Sequence, residues 1–169
     1  MLNVIIVGFG NIGNKRYQII KNNKNYNVLA IIDKKFKSKY KKSKNLKFFR
    51  NFQDIDFIDE NIDLALISTN PKNSYLISKF LIERKINIFI EKPPCFNFNE
   101  YKSLLKLANR NKLLLKVGFN FLYDNTIQKL KNELVKKNFG SVYYVEAEYL
   151  YGTSKNNNNQ VGSYLDVGI

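Results

Sequence analysis

A glycine-rich turn that directly follows an apolar strand constrains this chain more than any other feature. Residues 4–7 are an unbroken β-branched run, typical of a central parallel strand covered on both faces. They lead into Gly8-Phe-Gly-Asn-Ile-Gly13 and then into a helix-compatible segment. In such a turn the first glycine permits the tight bend, the second lets backbone approach a pyrophosphate, and the third lets helix and strand pack closely. The pattern predicts a phosphate-binding loop made by Gly8, Gly10, Asn11, Ile12 and Gly13.

An acidic residue at the end of a second apolar strand completes the pattern. Asp33 follows Gly13 by twenty positions and ends the apolar segment 27–32. A carboxylate at this place accepts hydrogen bonds from the adenosine ribose hydroxyls and repels a 2′-phosphate. The sequence therefore predicts a dinucleotide site that prefers NAD to NADP, although Lys34 and Lys35 partly offset the repulsion. An aspartate that only ends a strand and begins a turn is the structural alternative.

Size and composition exclude several classes of protein. The chain has 169 residues and a mass of 19.8 kDa, enough for one good core and too few for two full domains. No apolar run reaches the roughly 18 residues that a membrane span requires, and Met1 leads directly into the first strand, so we expect neither a membrane anchor nor a signal peptide. Cys95 is the only cysteine and histidine is absent, so no disulfide and no metal site is expected. A cytoplasmic location is the default expectation.

The net charge of +14 raises the possibility of nucleic-acid binding, but its composition disfavours that function. The basic residues are 24 Lys and only 4 Arg, whereas bidentate phosphate and guanine contacts favour Arg. The densest basic stretch, residues 34–47, is best interpreted as a solvated face between two strands. We therefore predict no nucleic-acid partner. The alternative, binding through the lysines, would show itself as a steep salt dependence.

Apolar runs alternate with helical patterns along the first 118 residues, which predicts βαβ units and a parallel sheet. The expected fold is α/β, a Rossmann-type doubly wound parallel sheet that ends near Gly118. Asn70 before Pro71 predicts a capped helix start, and Asn97 with Glu100 has capping-box spacing. The predicted strands are 2–7, 28–32, 46–49, 62–68, 86–90 and 113–117, and the predicted helices are 12–22, 54–59, 72–84 and 99–109.

The character of the sequence changes after Gly118. Residues 126–137 have an apolar face and predict a helix that Gly140 ends. Residues 141–151 alternate between aromatic or aliphatic and polar side chains, which predicts a long half-buried strand. These elements are too few to bury a core of their own. We expect residues 1–118 to form an NAD(P)-binding domain and residues 119–169 to begin an incomplete α/β substrate and oligomerisation domain.

Five segments in order resemble the glucose–fructose oxidoreductase and inositol dehydrogenase family, Gfo/Idh/MocA. Besides the glycine-rich turn they are Ser68-Thr-Asn-Pro71, Glu91-Lys-Pro-Pro94, Val117-Gly-Phe-Asn120 and Gly162-Ser-Tyr-Leu-Asp-Val-Gly168. The Glu-Lys-Pro after the fifth predicted strand is the most specific of them. The resemblance implies an NAD(P)-dependent oxidoreductase that acts on sugars, cyclitols or sugar nucleotides. It also implies a small-molecule, sugar-type substrate and a homo-oligomer in the full-length protein.

The resemblance also assigns roles to individual residues. Lys92 and Asp166 are the expected catalytic residues, with Lys92 as the proton relay at the substrate carbinol and Asp166 orienting the sugar. Asn120 joins these two in the expected substrate site. The expected cofactor site consists of the glycine-rich turn, Asp33 and Lys92 together with four further residues, which are Ser68, Thr69, Asn70 and Glu91.

Some positions depart from the family pattern. Arg16 and Ser74 occupy places where many members have histidine, and Phe121 with Leu122 stands where many have arginine, which makes the pocket less cationic. The family's catalytic histidine would follow Ile169 directly, so we expect these 169 residues alone to be inactive. The alternative function is a non-catalytic dinucleotide-binding module.

Overall fold

Strands and helices alternate along the chain in a computed structural model that describes residues 1–37, 40–43, 46–146 and 148. Two 3₁₀-helices span Phe52–Phe57 and Asn120–Tyr123. The strands are β1 (Leu2–Val7), β2 (Tyr26–Ile32), β3 (Tyr40–Ser43), β4 (Leu46–Phe49), β5 (Leu64–Ile67), β6 (Asn87–Ile90) and β7 (Leu115–Val117). The α-helices are α1 (Asn11–Ile20), α2 (Pro71–Glu83), α3 (Phe98–Arg110) and α4 (Asn125–Val135).

The seven strands form one sheet in the order β3-β4-β2-β1-β5-β6-β7. All pairs are parallel except the edge pair β3–β4, which is antiparallel. If β3 is left out and the six parallel strands are numbered 1 to 6 along the chain, their order in the sheet is 3-2-1-4-5-6, which is the order of a Rossmann sheet. After β1 the chain adds β2 and β4 on one side of it and then β5, β6 and β7 on the other, so the strand order reverses between the neighbours β1 and β5. The predicted fold class, a Rossmann-type parallel sheet with flanking helices, is confirmed.

The core lies on both faces of the central strand. The side chains of residues 4–7 are at most 3% exposed, so β1 is covered on both sides as its unbroken apolar run predicts. On one face Val4 and Ile6 join a buried cluster with Ile31 and Leu66, against which Tyr17 of α1 packs. Helix α2 packs against β5 and β6, and α3 against α2 and β7.

The predicted helix starts are confirmed at two places. The Asn70 side chain accepts a hydrogen bond from the Lys72 N–H at 2.8 Å, with Pro71 at the first helical position of α2. The Asn97 side chain accepts one from the Glu100 N–H at 2.9 Å at the start of α3. Both caps satisfy N–H groups that have no partner within the helix, so each helix begins where its sequence indicates.

The structure departs from the sequence prediction at two places in the first 118 residues. Strand β3 lies inside the basic stretch 34–47, where the sequence predicts no strand, because its antiparallel pairing with β4 needs no apolar pattern at the sheet edge. The helix predicted at 54–59 is a 3₁₀-helix, Phe52–Phe57, whose only buried residue is Ile55. One buried side chain in six residues anchors a tight turn rather than an α-helical face.

The chain divides after Gly118 into two units, residues 1–118 and 119–169. Helix α4 ends at Val135, earlier than predicted. The first residue after it with a positive φ is Lys137, at 57°, and Gly140 follows with a φ of 72°. Residues 141–146 and 148 have no regular structure, so the predicted strand 141–151 is wrong over its described part. No described strand of this unit could pair with it, and an unpaired strand is not stable alone. No helix among the described residues is long and apolar enough to cross a membrane.

Candidate functional site

The predicted site residues of the first unit follow the carboxyl ends of neighbouring strands. Gly8 comes after β1, Asp33 after β2, Ser68 after β5 and Glu91 after β6. Backbone hydrogen bonds join these ends, among them Gly8 N–H to the carbonyl of Ile32 and Ser68 N–H to that of Val7, each at 2.8 Å. The edge where open parallel sheets bind ligands is therefore one continuous, ordered rim.

A cleft of about 570 Å³ lies along this rim. It spans the point between β1 and β5 where the strand order reverses, the usual ligand position in open α/β sheets. Ligand pockets are commonly of this size. Six of the predicted cofactor residues line it together, namely Gly8, Gly10, Asp33, Ser68, Thr69 and Asn70.

Close backbone packing makes glycine necessary at two positions of the turn. Gly8 has a φ of +91°, and a Cβ there would lie 2.5 Å from the carbonyl oxygen of Ser68. A Cβ on Gly13 would overlap the carbonyl oxygen of Gly8. These two glycines bring β1, β5 and the first turn of α1 into contact, which is the helix–strand packing that the motif predicts.

Gly10 differs from the other two glycines because a Cβ placed on it would clash with none of the residues that the structure describes. A Cβ on Gly10 would meet no atom within 4 Å, and its φ of −77° is open to any residue. Glycine here leaves empty space at the mouth of the cleft rather than relieving a clash. Space against bare backbone is what a pyrophosphate needs in order to approach.

The N-terminus of α1 adjoins this space and has no side-chain cap. Side chains of Asn70, Asn97 and Asp124 cap the other three α-helices, whereas Gly10 offers no capping atom to α1. Its first turn, which begins with Asn11, Ile12 and Gly13, also contains no acidic residue. Among the described residues no side chain caps these N–H groups, and free N–H groups at the positive end of a helix dipole are suited to an anion.

Asp33 connects the glycine-rich turn to the next strand. Its Oδ2 accepts a hydrogen bond from the Phe9 N–H at 2.6 Å, and its Oδ1 accepts one from the Lys35 N–H at 2.8 Å. Each carboxylate oxygen can accept more than one hydrogen bond, so acceptor capacity remains for ribose hydroxyls. Asp33 lies at the cleft in the position that the dinucleotide pattern predicts.

Ser68, Thr69 and Asn70 form the wall of the cleft after β5. The Oγ atoms of Thr69 and Ser74 are 2.9 Å apart, and the Ser74 hydroxyl also lies 3.1 Å from the Asn70 carbonyl oxygen, so the start of α2 is tied to this wall. Among the described side chains, Ser68 Oγ is buried without a hydrogen-bond partner. A buried hydroxyl of this kind at a cleft wall is suited to a polar ligand group.

Glu91 forms an ion pair within the protein. Arg16 Nε donates to Glu91 Oε1 at 2.6 Å, and Arg16 Nη2 contacts the same oxygen. Burial lowers the pKa of the Arg16 guanidinium from its usual value. Lys92 follows Glu91 at the same edge and is half-buried.

The expected substrate residues Asn120 and Asp166 belong to the second unit of the chain. Asn120 begins a 3₁₀-helix in the second unit and is exposed. Asp166 lies outside the described residues. Their roles therefore stay predictions from the family resemblance.

The cleft includes a segment that the motif analysis did not single out. Arg50, Asn51, Phe52 and Gln53 line it and directly follow β4. The signal was available, because residues past the carboxyl end of any parallel strand reach the same rim. Only the acidic residue after β2 carries a recognised motif, so the neighbouring loop was overlooked.

A family model decides the classification. The model described as "Oxidoreductase family, NAD-binding Rossmann fold" matches residues 2–119. The chain belongs to this family. The resemblance to Gfo/Idh/MocA oxidoreductases that the motifs predicted is thereby confirmed, and the matched residues include the whole sheet and the rim.

The proteins to which the chain is similar are distant in sequence, and solved structures among them share the fold. The chain is 26% identical over 150 residues to the uncharacterized oxidoreductase YrbE of Bacillus subtilis, covering 83% of this chain and 42% of YrbE. The structure of myo-inositol 2-dehydrogenase from Lactobacillus plantarum superposes with a TM-score of 0.72 at 20% identity, over 83% of this chain and 43% of that one. An oxidoreductase from Bacillus cereus gives 0.74 at 18% identity, over 99% and 50%. The chain thus spans half or less of the length of these relatives.

Proposed function

We propose that this chain forms the cofactor-binding part of an NAD-dependent dehydrogenase. The reaction would transfer a hydride between the nicotinamide and a carbinol carbon of a sugar, cyclitol or sugar nucleotide. One observation carries the proposal: Gly10 leaves open space in front of the uncapped N-terminus of α1, at the reversal point of a Rossmann sheet. Membership of an NAD-binding oxidoreductase family supports the same function.

Different residues of the rim bind different parts of the cofactor. The backbone N–H groups at the start of α1 bind the pyrophosphate, since no side chain in the described part of the chain caps them. Asp33 accepts hydrogen bonds from the adenosine ribose, and its negative charge disfavours a 2′-phosphate. Ser68 supplies a hydroxyl that has no partner among the described residues. When bound, the nicotinamide ring supplies the hydride chemistry, and the protein supplies orientation and electrostatics.

Lys92 is the proposed proton relay for the substrate hydroxyl. It follows β6, on the side of the reversal point away from Asp33, where the nicotinamide end of an extended dinucleotide lies. An ammonium group at that end can exchange a proton with a carbinol oxygen. Asp166 and Asn120 are proposed to orient the substrate, on the family resemblance alone. The name of the myo-inositol 2-dehydrogenase relative supports a polyol-type substrate.

The test is turnover against a panel of substrates. The full-length protein is mixed with NAD and with polyols, cyclitols or sugar nucleotides in turn, and formation of reduced nicotinamide is followed by absorbance. Reduction with one substrate class supports the dehydrogenase and identifies that class. Tight NADH binding with no turnover on any of them would instead favour the alternative, a non-catalytic dinucleotide-binding module.

A further inference from the structure

An arginine of α1 reaches across the sheet edge to the end of β6. Arg16 and Glu91 are 75 residues apart in sequence, and the Arg16 Nε donates to Glu91 Oε1 at 2.6 Å. Their side chains are only 22% and 15% exposed. An ion pair that is largely shielded from water is held in one arrangement far better than a surface pair, because solvent cannot compete for either partner.

The surroundings of the pair leave it little freedom. The guanidinium carbon of Arg16 lies 4.4 Å from the centre of the Phe89 ring, a favourable cation–π distance. On another side is Gly118, where a Cβ would lie 3.2 Å from Arg16, Glu91 and Phe89 alike. Burial lowers the pKa of Arg16, yet an arginine keeps its charge where a lysine could lose it. Glu91, Phe89 and Gly118 thus surround a charged, planar guanidinium.

This arrangement couples the two ends of the cofactor rim. Helix α1 begins at the glycine-rich turn, and Glu91 immediately precedes Lys92. We infer that Arg16 is a positioning residue, which holds Glu91, and through it Lys92, at the nicotinamide end of the site. The inference rests on the proposed function and deepens it. Arg16 acts through Glu91 and does not itself touch the cofactor.

Two ligands separate this role from a general effect on folding. ADP-ribose contains the adenosine, pyrophosphate and ribose of NADH but lacks the nicotinamide ring. If Arg16 positions the nicotinamide end, Arg16→Met should weaken NADH binding about tenfold, as expected for losing one charge-assisted contact. ADP-ribose affinity should change less than about twofold. Arg16→Lys, which keeps the charge, should recover part of the NADH affinity.

The chain offers a matched control in Arg84. Its guanidinium pairs with Asp56 at 3.0 Å and lies 3.5 Å from the centre of the Phe80 ring. Neither Arg84 nor Asp56 lines the cleft, although Phe80 packs on Phe52, which does. Arg84→Met removes a more exposed pair of the same kind and a similar ring contact, and should leave both affinities unchanged. Glu91→Gln should reproduce the NADH-selective loss, and it keeps the inference testable if Arg16→Met does not fold.

The outcomes are distinct. A selective loss of NADH affinity in Arg16→Met or Glu91→Gln supports the positioning role. Equal losses for both ligands, or no loss of NADH affinity, would overturn it. Failure of the wild-type protein to bind either ligand would overturn the proposed function, and this inference with it.

Discussion

The carboxylate of Asp33 holds the glycine-rich turn in place by accepting the Phe9 N–H at 2.6 Å. This bond joins the end of β2 to the loop after β1, across 24 residues of sequence. One side chain thus has two tasks in the proposed site. It fixes the turn that faces the pyrophosphate, and it presents negative charge where the adenosine ribose would bind.

Replacing Asp33 by asparagine should change cofactor preference. The amide oxygen can still accept a backbone N–H, but the negative charge that repels a 2′-phosphate is gone. Lys34, Lys35 and Arg50 also line the cleft, so the remaining local charge is positive. We expect the preference for NADH over NADPH, measured by fluorescence titration, to fall about tenfold in Asp33→Asn, equivalent to about 1.4 kcal/mol.

Glu83→Gln is the control for that experiment. It removes the same charge from an exposed residue that does not line the cleft, so the preference should stay at the wild-type value. An unchanged NADH to NADPH ratio in Asp33→Asn would show that Asp33 has only its structural role.

Gly13→Ala should destabilise the fold. Its new methyl group would overlap the carbonyl oxygen of Gly8, which is backbone and cannot move aside cheaply. Overpacking of this kind costs about 1–3 kcal/mol. Urea unfolding should show a loss of that size, while Gly10→Ala, whose methyl group meets no described atom within 4 Å, should lose less, since only the N-cap preference of glycine over alanine is given up. Equal stability of both variants would contradict the close packing of α1 on β1.

Lys92→Met should separate catalysis from cofactor binding. If Lys92 relays the substrate proton, its loss should lower kcat by about 10²–10⁴-fold. NADH affinity should change much less, because the glycine-rich turn and Asp33 are untouched. The measurement is kcat in the full-length enzyme together with an NADH titration. A variant that keeps the wild-type kcat would exclude Lys92 as the relay.

Cys95 should be chemically inert in the folded protein. Burial raises the pKa of its thiol to about 12, with a smaller contribution from Glu100. At pH 8 the thiolate fraction is then on the order of 10⁻⁴, and only the thiolate reacts. Alkylation should be slow in buffer and fast in denaturing urea. Folding raises the pKa of this thiol from 9.0. The thiol therefore has no effect on the free energy of unfolding below about pH 9, and it lowers that free energy progressively as the pH rises toward 12. Rapid alkylation of the native protein would contradict the burial of Cys95.

The parts of the fold with strong apolar patterns were predictable from the sequence. Strand β1 and the carboxyl-edge positions of Asp33 and Ser68 follow from short apolar runs rich in β-branched residues, which are typical of covered strands. Strand β3 was not predictable, since its position at the sheet edge depends on pairing with β4 rather than on its own polar residues. The strand predicted at 141–151 shows the converse, because an alternating pattern forms no strand without a partner.

Part of the site was likewise predictable from the sequence, and part of it was not. The glycine-rich turn and Asp33 are local in sequence and have fixed spacing, so motif analysis located them. The Arg16–Glu91 pair could not be found that way, because its members are 75 residues apart and meet only after α1 and β6 have packed. The cleft residues after β4 were missed for a related reason, since the loop has no motif and its place is set by the strand order alone.

The central claim is that a dinucleotide binds in the open space beside Gly10, and an NADH titration of wild type and Gly10→Val tests it most directly. The wild-type protein should bind NADH, and the variant should lose at least about tenfold in affinity because its side chain fills the pyrophosphate space. The variant should still fold, since a Cβ at this position meets no described protein atom within 4 Å, and its Tm is measured to check this. Wild-type NADH affinity in a folded Gly10→Val variant, or no NADH binding by the wild-type protein, would contradict the claim.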